Sequence, residues 1–378
     1  MSERKLHIVC FTIPFPVDYG GVFDLYYKLE ALKNIGLEVH LHCIQYGNNV
    51  PQVQLEHVCQ KVYYYKRATI FPLKFWGLPY IVESRVIPAL VDRLNQDDAP
   101  ILLEAIHSTG VVPYLKPAKR TVLVRLHNVE HIYYGSLAAT STSLLKKIYY
   151  TSEAYRLRKW EKRLVKQQTH YSAVALLDQY IYQNLFHCRH ISYLPLFIPP
   201  WEIKKMAGRG DYCLYQGNLD IEENQKAVKW IVEKIFSGMP VPLYVAGKSS
   251  GSFVRNMRRQ HPDIHWVENP TDPVMDGLIL NAQIHLLPSF NATGIKVKLL
   301  NALYNGRFCL VNGATVKDSG LDSLCIVAHG IEDFKEKTHD YFSRPFSEKD
   351  RQARIRLLSS LYDNNKNAIL LRQQLFGE

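Results

Sequence analysis

The sequence predicts an α/β protein built from two Rossmann-like, doubly wound parallel-sheet domains that face a cleft, and three observations predict it. Apolar runs of strand length alternate with helix-length segments along the 378 residues. The alternation pauses at a stretch dense in proline and glycine (Pro195, Pro199, Pro200, Gly208, Gly210) and then restarts. Hydrophobic residues make up 47% of the chain and aromatics 12%, ample for packed cores. The expected organisation is a first domain over residues 1–195, a linker over 196–210, and a second domain over 211–346. A C-terminal helix over 347–378 should pack across the domains and cross back to the first. In such folds ligands bind beyond the carboxyl ends of the strands, so the loops there carry the search for function.

The elements follow in order. Residues 6–11 are apolar and read as the first strand. Residues 23–35 are amphipathic and stop at Gly36, a helix with a glycine end. Strands are expected at 38–44 and 62–65, a helix at 82–95, and strands at 101–103 and 121–126. A long basic helix spans 143–168, followed by a strand at 172–175 and a helix at 177–186. After the linker come a strand at 212–216, a helix at 224–236, and strands at 242–246, 264–267 and 282–287. A helix at 294–304 and strands at 308–311 and 323–327 complete the second sheet, and a charged helix at 347–376 closes the chain.

Charge and cysteine content narrow the function. The net charge is +11, a balance that suits phosphorylated small molecules, anionic lipid or nucleic acid. No arginine-rich tract, zinc spacing or RNA-recognition signature supports nucleic acid as a partner. The seven cysteines are scattered without a C-x-x-C pair, which fits a reducing compartment. The N-terminal apolar run reads as a strand, not a leader, and no run reaches the roughly 18 apolar residues of a membrane span. A cytoplasmic protein is expected, either free or peripheral on the inner face of the membrane.

The most informative stretch is 287–311, which with the apolar run at 284–287 reads as strand, Gly-bearing loop, helix and strand. Its helix begins with Lys296 and Lys298, where backbone N–H groups point outward and attract anions. Two residues apart on a helix means about 200° apart, so only one of them faces a given ligand. Lys296 is nearer the helix start and is the expected phosphate partner; Lys298, deeper in the segment, is its rival. Lys248 stands at a strand's carboxyl end, either an exposed loop lysine or a third phosphate ligand. Gly20-Gly21 follow the first strand, either as a plain βα turn or as a place where backbone N–H groups approach an anion. His127 sits just past the strand at 121–126, and Asn128 and Glu130 beside it make an idle buried histidine costly.

Four landmarks occur in order: Pro14-Phe15-Pro16 with Tyr19-Gly20-Gly21; Leu126-His127-Asn128-Val129-Glu130; Tyr215-Gln216-Gly217-Asn218 with Asn224; and Thr293-Gly294 through Asn301. The set resembles the GT-B-fold glycosyltransferases, specifically glycosyltransferase family 4, over nearly the whole chain. The resemblance implies retaining transfer of a sugar from a nucleotide-sugar donor without a catalytic metal, and the sequence has no Asp-x-Asp motif. No cofactor is implied, because the nucleotide sugar is a substrate. It implies that Gly20 and Gly21 lie against the donor pyrophosphate and that His127 contacts the donor sugar, with Asn128 and Glu130 supporting. Catalysis would rest on His127 and Lys296, and the donor would be held by Gly217, Asn218, Lys248, Thr293, Gly294, Lys298 and Asn301. The family usually carries glutamates where this chain has Thr293 and Asn301, and cations where it has Asn218 and Asn224. Neutral amides and hydroxyls bond more weakly than charged groups, so Lys248, Lys296 and Lys298 must replace the lost cations.

One basic segment lies apart from these motifs. Residues 144–166 carry Lys146, Lys147, Arg156, Arg158, Lys159, Lys162, Arg163 and Lys166 among Tyr149, Tyr150, Tyr155 and Trp160. This reads as a helix on anionic membrane or as a salt-bridged surface helix, and Glu153 and Glu161 favour the second because they interrupt the charge. A second candidate edge is 63–80, with Lys66, Arg67, Phe71, Lys74, Phe75, Trp76 and Tyr80. The expected function is a glycosyltransferase acting on a glycan or lipid-linked acceptor in cell-surface polysaccharide assembly. A non-catalytic GT-B-like scaffold and a sugar-nucleotide epimerase are the alternatives.

Overall fold

The computed structural model describes residues 4–17, 20–47, 49–69, 77–117, 119–141, 143–167, 169–204, 208–290, 294–317 and 319–377. Tyr19, Thr293 and most of the aromatic stretch near residue 70 lie outside the described residues. The chain forms two compact units. The first is Met1–Pro199 with Thr293–Ile295 and Leu361–Glu378, and the second is Pro200–Ala292 with Lys296–Ser360.

The first unit holds a parallel seven-stranded sheet of β1 (Lys5–Cys10), β2 (Glu38–Gln45), β3 (Lys61–Lys66), β4 (Ile101–Glu104), β5 (Val122–Leu126), β6 (His170–Ala173) and β7 (Ile191–Tyr193). Their order is β3-β2-β1-β4-β5-β6-β7, so the winding reverses between β1 and β4. The β1 and β4 segments are buried on both faces, as in a parallel sheet covered by helices on both sides. One core joins the Gly20–Asn34 helix to the C-terminal Asn364–Phe376 helix through Leu25, Leu29, Leu32, Ala368, Leu371 and Leu375. The other packs Leu157, Trp160 and Leu164 of the Leu144–Leu164 helix beside Leu103, Val124 and Ala173.

The second unit holds a parallel six-stranded sheet of β8 (Cys213–Gln216), β9 (Leu243–Gly247), β10 (His265–Glu268), β11 (Ile284–Leu286), β12 (Phe308–Asn312) and β13 (Ile326–Ala328). The order β10-β9-β8-β11-β12-β13 reverses between β8 and β11. Carboxyl ends at such a reversal open the crevice of a doubly wound sheet. That places the β1/β4 loops of the first unit, and the β8/β11 loops of the second, at the functional edge of each.

The structure departs from the sequence reading where chain-stopping chemistry is local. The helix expected at 82–95 is two short helices, Tyr80–Glu83 and Pro88–Leu94, because Ile87 before the proline is extended (φ −120°, ψ 120°). The helix expected at 347–376 is also two, Glu348–Leu361 and Asn364–Phe376, with Asp363 accepting the Lys366 N–H at 3.0 Å to start the second. The 294–304 helix begins only at Val297; Gly294 precedes it with φ +67°. The strand expected at 172–175 lies at His170–Ala173, and β7 was not foreseen, nor were the helices Ser252–Gln260, Asp272–Asn281 and Gly330–Ser343. Gly306 ends its helix without a left-handed turn (φ −120°): a Cβ there would lie 2.0 Å from the His285 ring, so close approach requires the glycine.

Candidate functional site

In the first unit the reversal point gathers a cluster of buried charges. The Gly20–Asn34 helix projects Asp24 and Lys28 from one face, one turn apart. β4 ends on Glu104, β5 carries Arg125 near its end, and His127 follows β5 directly. Asp24, Lys28, Glu104 and Arg125 are all buried. Lys28 Nζ lies 2.7 Å from both Asp24 Oδ2 and Glu104 Oε1. Arg125 Nη2 meets Asp24 Oδ1 at 3.1 Å, and its guanidinium also donates to the carbonyls of Leu194 and Pro195 at 2.7 and 2.8 Å. Two carboxylates are thus balanced by two cations, which is what permits their burial. Burial alone would raise the Asp24 carboxyl; Arg125, Lys28 and His127 overrule it and hold the group far below its ordinary range. Glu104 is lowered in the same way, by Lys28 and His127 against its own burial.

His127 completes the cluster. Its Nε2 lies 2.9 Å from Glu104 Oε2 and 3.8 Å from Asp24 Oδ2. An ionised carboxylate only accepts, so Nε2 carries the hydrogen and Nδ1 is left as the second ring position. Phe11 meets the ring edge-on at 5.8 Å, and the side chain keeps 12% exposure. The orienting partner of His127 is therefore Glu104, not Glu130. Glu130 is buried at the start of the Glu130–Thr140 helix, 3.8 Å from His107 Nδ1, and is pushed up to about 8 by burial and then by Glu161. Asn128 bonds to Glu130 and also abuts Gly294, where a Cβ would fall 2.4 Å from Asn128 Oδ1. Asp24, Glu104 and His127 are a metal-type donor set with ligand atoms within 4.8 Å of one another. They do not fit a cation: the Lys28 ammonium already sits between the two carboxylates and neutralises them.

In the second unit three elements converge at the carboxyl end of β8. Tyr215 is the penultimate residue of β8, Asn224 lies in the first turn of the Glu222–Trp230 helix, and Lys298 is the second residue of the Val297–Asn305 helix. Lys298 Nζ donates to Asn224 Oδ1 at 2.9 Å and to the Tyr215 hydroxyl at 3.1 Å, and it stands 4.7 Å from the Tyr215 ring centre. Tyr215 in turn donates to Asn224 Oδ1 at 3.0 Å. Both acceptors of the ammonium are neutral. Burial pulls Lys298 down to about 8; the charge of Glu223 works against this, and that of Lys296 adds to it. Glu223 is itself held by the Ser289 hydroxyl at 3.0 Å.

The other predicted residues occupy loops, helix starts and helix interiors of the two units. Gly217 follows β8 and Gly247 ends β9, and a Cβ on Gly247 would lie 1.8 Å from the Gly217 carbonyl oxygen, so the two loops touch backbone to backbone. Asn218 builds its own turn, accepting the Asp220 N–H at 3.0 Å, while its carbonyl accepts from Asn224 Nδ2 at 2.8 Å. Lys248 is exposed just beyond β9. Lys296 caps the Val297–Asn305 helix outside its first turn, whereas Lys298 is drawn onto β8. Asn301 lies inside that helix, and Asn305 donates to its amide oxygen at 2.8 Å. Gly20 and Gly21 begin the helix that carries Asp24. Sequence reasoning missed Asp24, Lys28, Glu104 and Arg125, and it singled out Tyr215 only as part of a landmark, without a role. A signal was present: a charge inside an otherwise apolar strand, as in Val122–Leu126, demands a buried partner.

No protein-family model matches the chain. A protein of Klebsiella pneumoniae, described as an uncharacterized 44.6 kDa protein in cps region, is 25% identical over 329 residues, 80% of this chain and 81% of that one. Among solved structures, sucrose-phosphate synthase from Thermosynechococcus elongatus matches with a TM-score of 0.72 and 12% identity over 98% of both chains. WaaG, a glycosyltransferase involved in lipopolysaccharide biosynthesis, matches with a TM-score of 0.65 and 12% identity over 99% of this chain and 100% of its own. The chain has the GT-B fold. No described helix is long and apolar enough to cross a membrane.

Proposed function

We propose that this GT-B chain is a glycosyltransferase of the family 4 type, moving a sugar with retention and without a catalytic metal. Its donor is a nucleotide sugar and its acceptor a glycan or lipid-linked glycan in cell-surface polysaccharide assembly, carried out at the inner face of a membrane. The Lys298 cluster carries the reading. An ammonium held at a strand end on two neutral oxygens, beside the first turn of a helix, is a cation waiting for an anion. In this reading the second unit binds the donor diphosphate through Lys298, with Lys296 and Lys248 as further cations and Asn301 as a further donor-binding residue, and Thr293 and Gly294, which group with the first unit, also serve the donor. Departure of the nucleoside diphosphate is stabilised by the ammonium and the helix N-terminal amides. His127, fixed by Glu104 through its Nε2–H, accepts a hydrogen bond from a sugar hydroxyl at Nδ1 or steadies positive charge as the glycosidic bond breaks. Asn128 and Glu130 support that loop. The polysaccharide setting is supported by the relative in the cps region and by the WaaG-like fold.

The test is a thermal-shift panel of nucleotides and nucleotide sugars, followed by detection of nucleoside diphosphate release. Saturation near 100 times the dissociation constant adds roughly 2.7 kcal/mol of stability. A shift confined to one base series, together with turnover lost in Lys298→Ala and His127→Ala, is the expected result. The scaffold reading has an observation in its favour: the Asn301 amide oxygen is taken up by Asn305, and no acid stands at 293 or 301. Binding without release, with any acceptor or water, selects the scaffold. Conversion of the donor alone to its epimer selects an epimerase.

A further inference from the structure

The Leu144–Leu164 helix divides its charges in a way the sequence hides. Its acids, Glu153 and Glu161, are both fully buried. Glu153 accepts the Ile81 N–H at 2.9 Å and pairs with the buried Arg156 at 2.6 Å. Glu161 accepts the Glu130 N–H at 3.1 Å, the Tyr182 hydroxyl at 2.9 Å, and meets His131 Nδ1 at 2.6 Å. Both carboxylates are therefore internal fasteners and contribute nothing to the outer face. Every exposed charged side chain on this helix is Lys or Arg: Lys146, Lys147, Arg158, Lys159, Lys162 and Arg163.

The same face carries apolar groups that a protein left in water does not need to display. Leu144, Leu145, Ile148 and Tyr155 are 72%, 77%, 46% and 61% exposed. Two surface cavities flank Tyr155 and Lys159. One, of about 400 Å³, is lined by Leu78, Trp160 and Arg163 as well. The other, of about 250 Å³, is lined by Arg158, Lys162 and Leu185 as well. Each cavity thus has a cationic rim beside an aromatic or aliphatic wall, the pairing that a lipid headgroup and its first methylenes satisfy together.

We propose that this face docks on an anionic lipid bilayer, the cations against the headgroups and Leu144, Leu145, Ile148 and Tyr155 entering the interface. The charge complementarity is complete on the helix, and the aliphatic end distinguishes a bilayer from a nucleic acid, which has no use for leucines. This deepens the membrane part of the proposed function and is independent of the transferase chemistry.

The test is co-sedimentation of the full chain with vesicles of neutral phosphatidylcholine, with and without phosphatidylglycerol, at low and high salt. Expected is salt-sensitive binding to the anionic vesicles alone. The quadruple variant R158Q/K159Q/K162Q/R163Q should lose on the order of 100-fold or more in partitioning, and L144S/L145S about tenfold. Both variants should keep the wild-type melting temperature and nucleotide shift, so a failure here is separable from a failure of the donor site. Equal binding to neutral vesicles, no binding at all, or unchanged binding by the quadruple variant overturns the proposal. So does single-stranded DNA that displaces the vesicles at equal charge.

Discussion

Lys298→Met separates a ligand-binding lysine from a structural one. Burial moves its ammonium from 10.5 to about 8, a displacement worth about 3 kcal/mol, since each pKa unit is about 1.36 kcal/mol. Because the folded value is lowered, this cost is fully present below pH 8 and is relieved as pH rises from 8 toward 10.5. Against it stand two hydrogen bonds to neutral oxygens, each worth about 1 kcal/mol net. Methionine fills similar space, and Tyr215 still donates to Asn224 Oδ1, so no acceptor is stranded at that atom. The variant should therefore be about 1 kcal/mol more stable than the parent at neutral pH in urea unfolding.

Nucleoside diphosphate affinity should move the other way. Loss of a charge-assisted bond costs about 1.5–3 kcal/mol, or roughly 10- to 150-fold in the dissociation constant by calorimetry. In the parent protein, affinity should weaken as pH rises through about 8, and Lys298→Arg should abolish that break. A Lys298→Met protein that loses more than about 2 kcal/mol of stability while binding nucleotide as before would refute the reasoning, because the ammonium would then be serving the fold.

Three further outcomes are expected. Glu104→Gln removes the charge that holds His127 Nε2 and should lower turnover roughly 10- to 100-fold with little change in donor KM, read from initial rates; unchanged turnover would mean the pair plays no part. Gly247→Ala forces its Cβ into the Gly217 carbonyl and should cost roughly 3 kcal/mol or more along with nucleotide binding, whereas Gly313→Ala, with open space around it, should be tolerated, both read by thermal melting. Burial, with Arg354 and Arg307 adding to it, lowers His285 from 6.5 to about 3, so the unfolded chain binds the extra proton first as pH falls. Stability should drop by about 2–3 kcal/mol between pH 7 and 4.5, and His285→Leu should flatten that slope in urea titrations; an equal slope would assign acid sensitivity to other groups.

The strand–helix rhythm was legible because its cause is local. Apolar runs such as 6–11 and 121–126 can only be strands buried on both faces, and each lies within a residue or so of its predicted bounds. The two long helices that proved to be pairs were misjudged because single residues, Pro88 and Asp363, start a new helix inside a continuous pattern, an effect that hydrophobic periodicity passes over. His127 stood out because it follows a strand and has polar neighbours. Its partner did not, because Glu104 is 23 residues away in sequence and meets it only when β4 pairs with β5.

The sequence by itself determined the class of fold, the turn that carries His127, and the helix start that carries Lys296 and Lys298. These depend on periodicity and on residues adjacent along the chain. Only the tertiary structure decided which charges face one another: Lys28 between two carboxylates, Lys298 on Tyr215 and Asn224, and Glu153 and Glu161 turned inward from a basic surface. Electrostatic energy depends on distance and burial, and neither is a property of order along the chain.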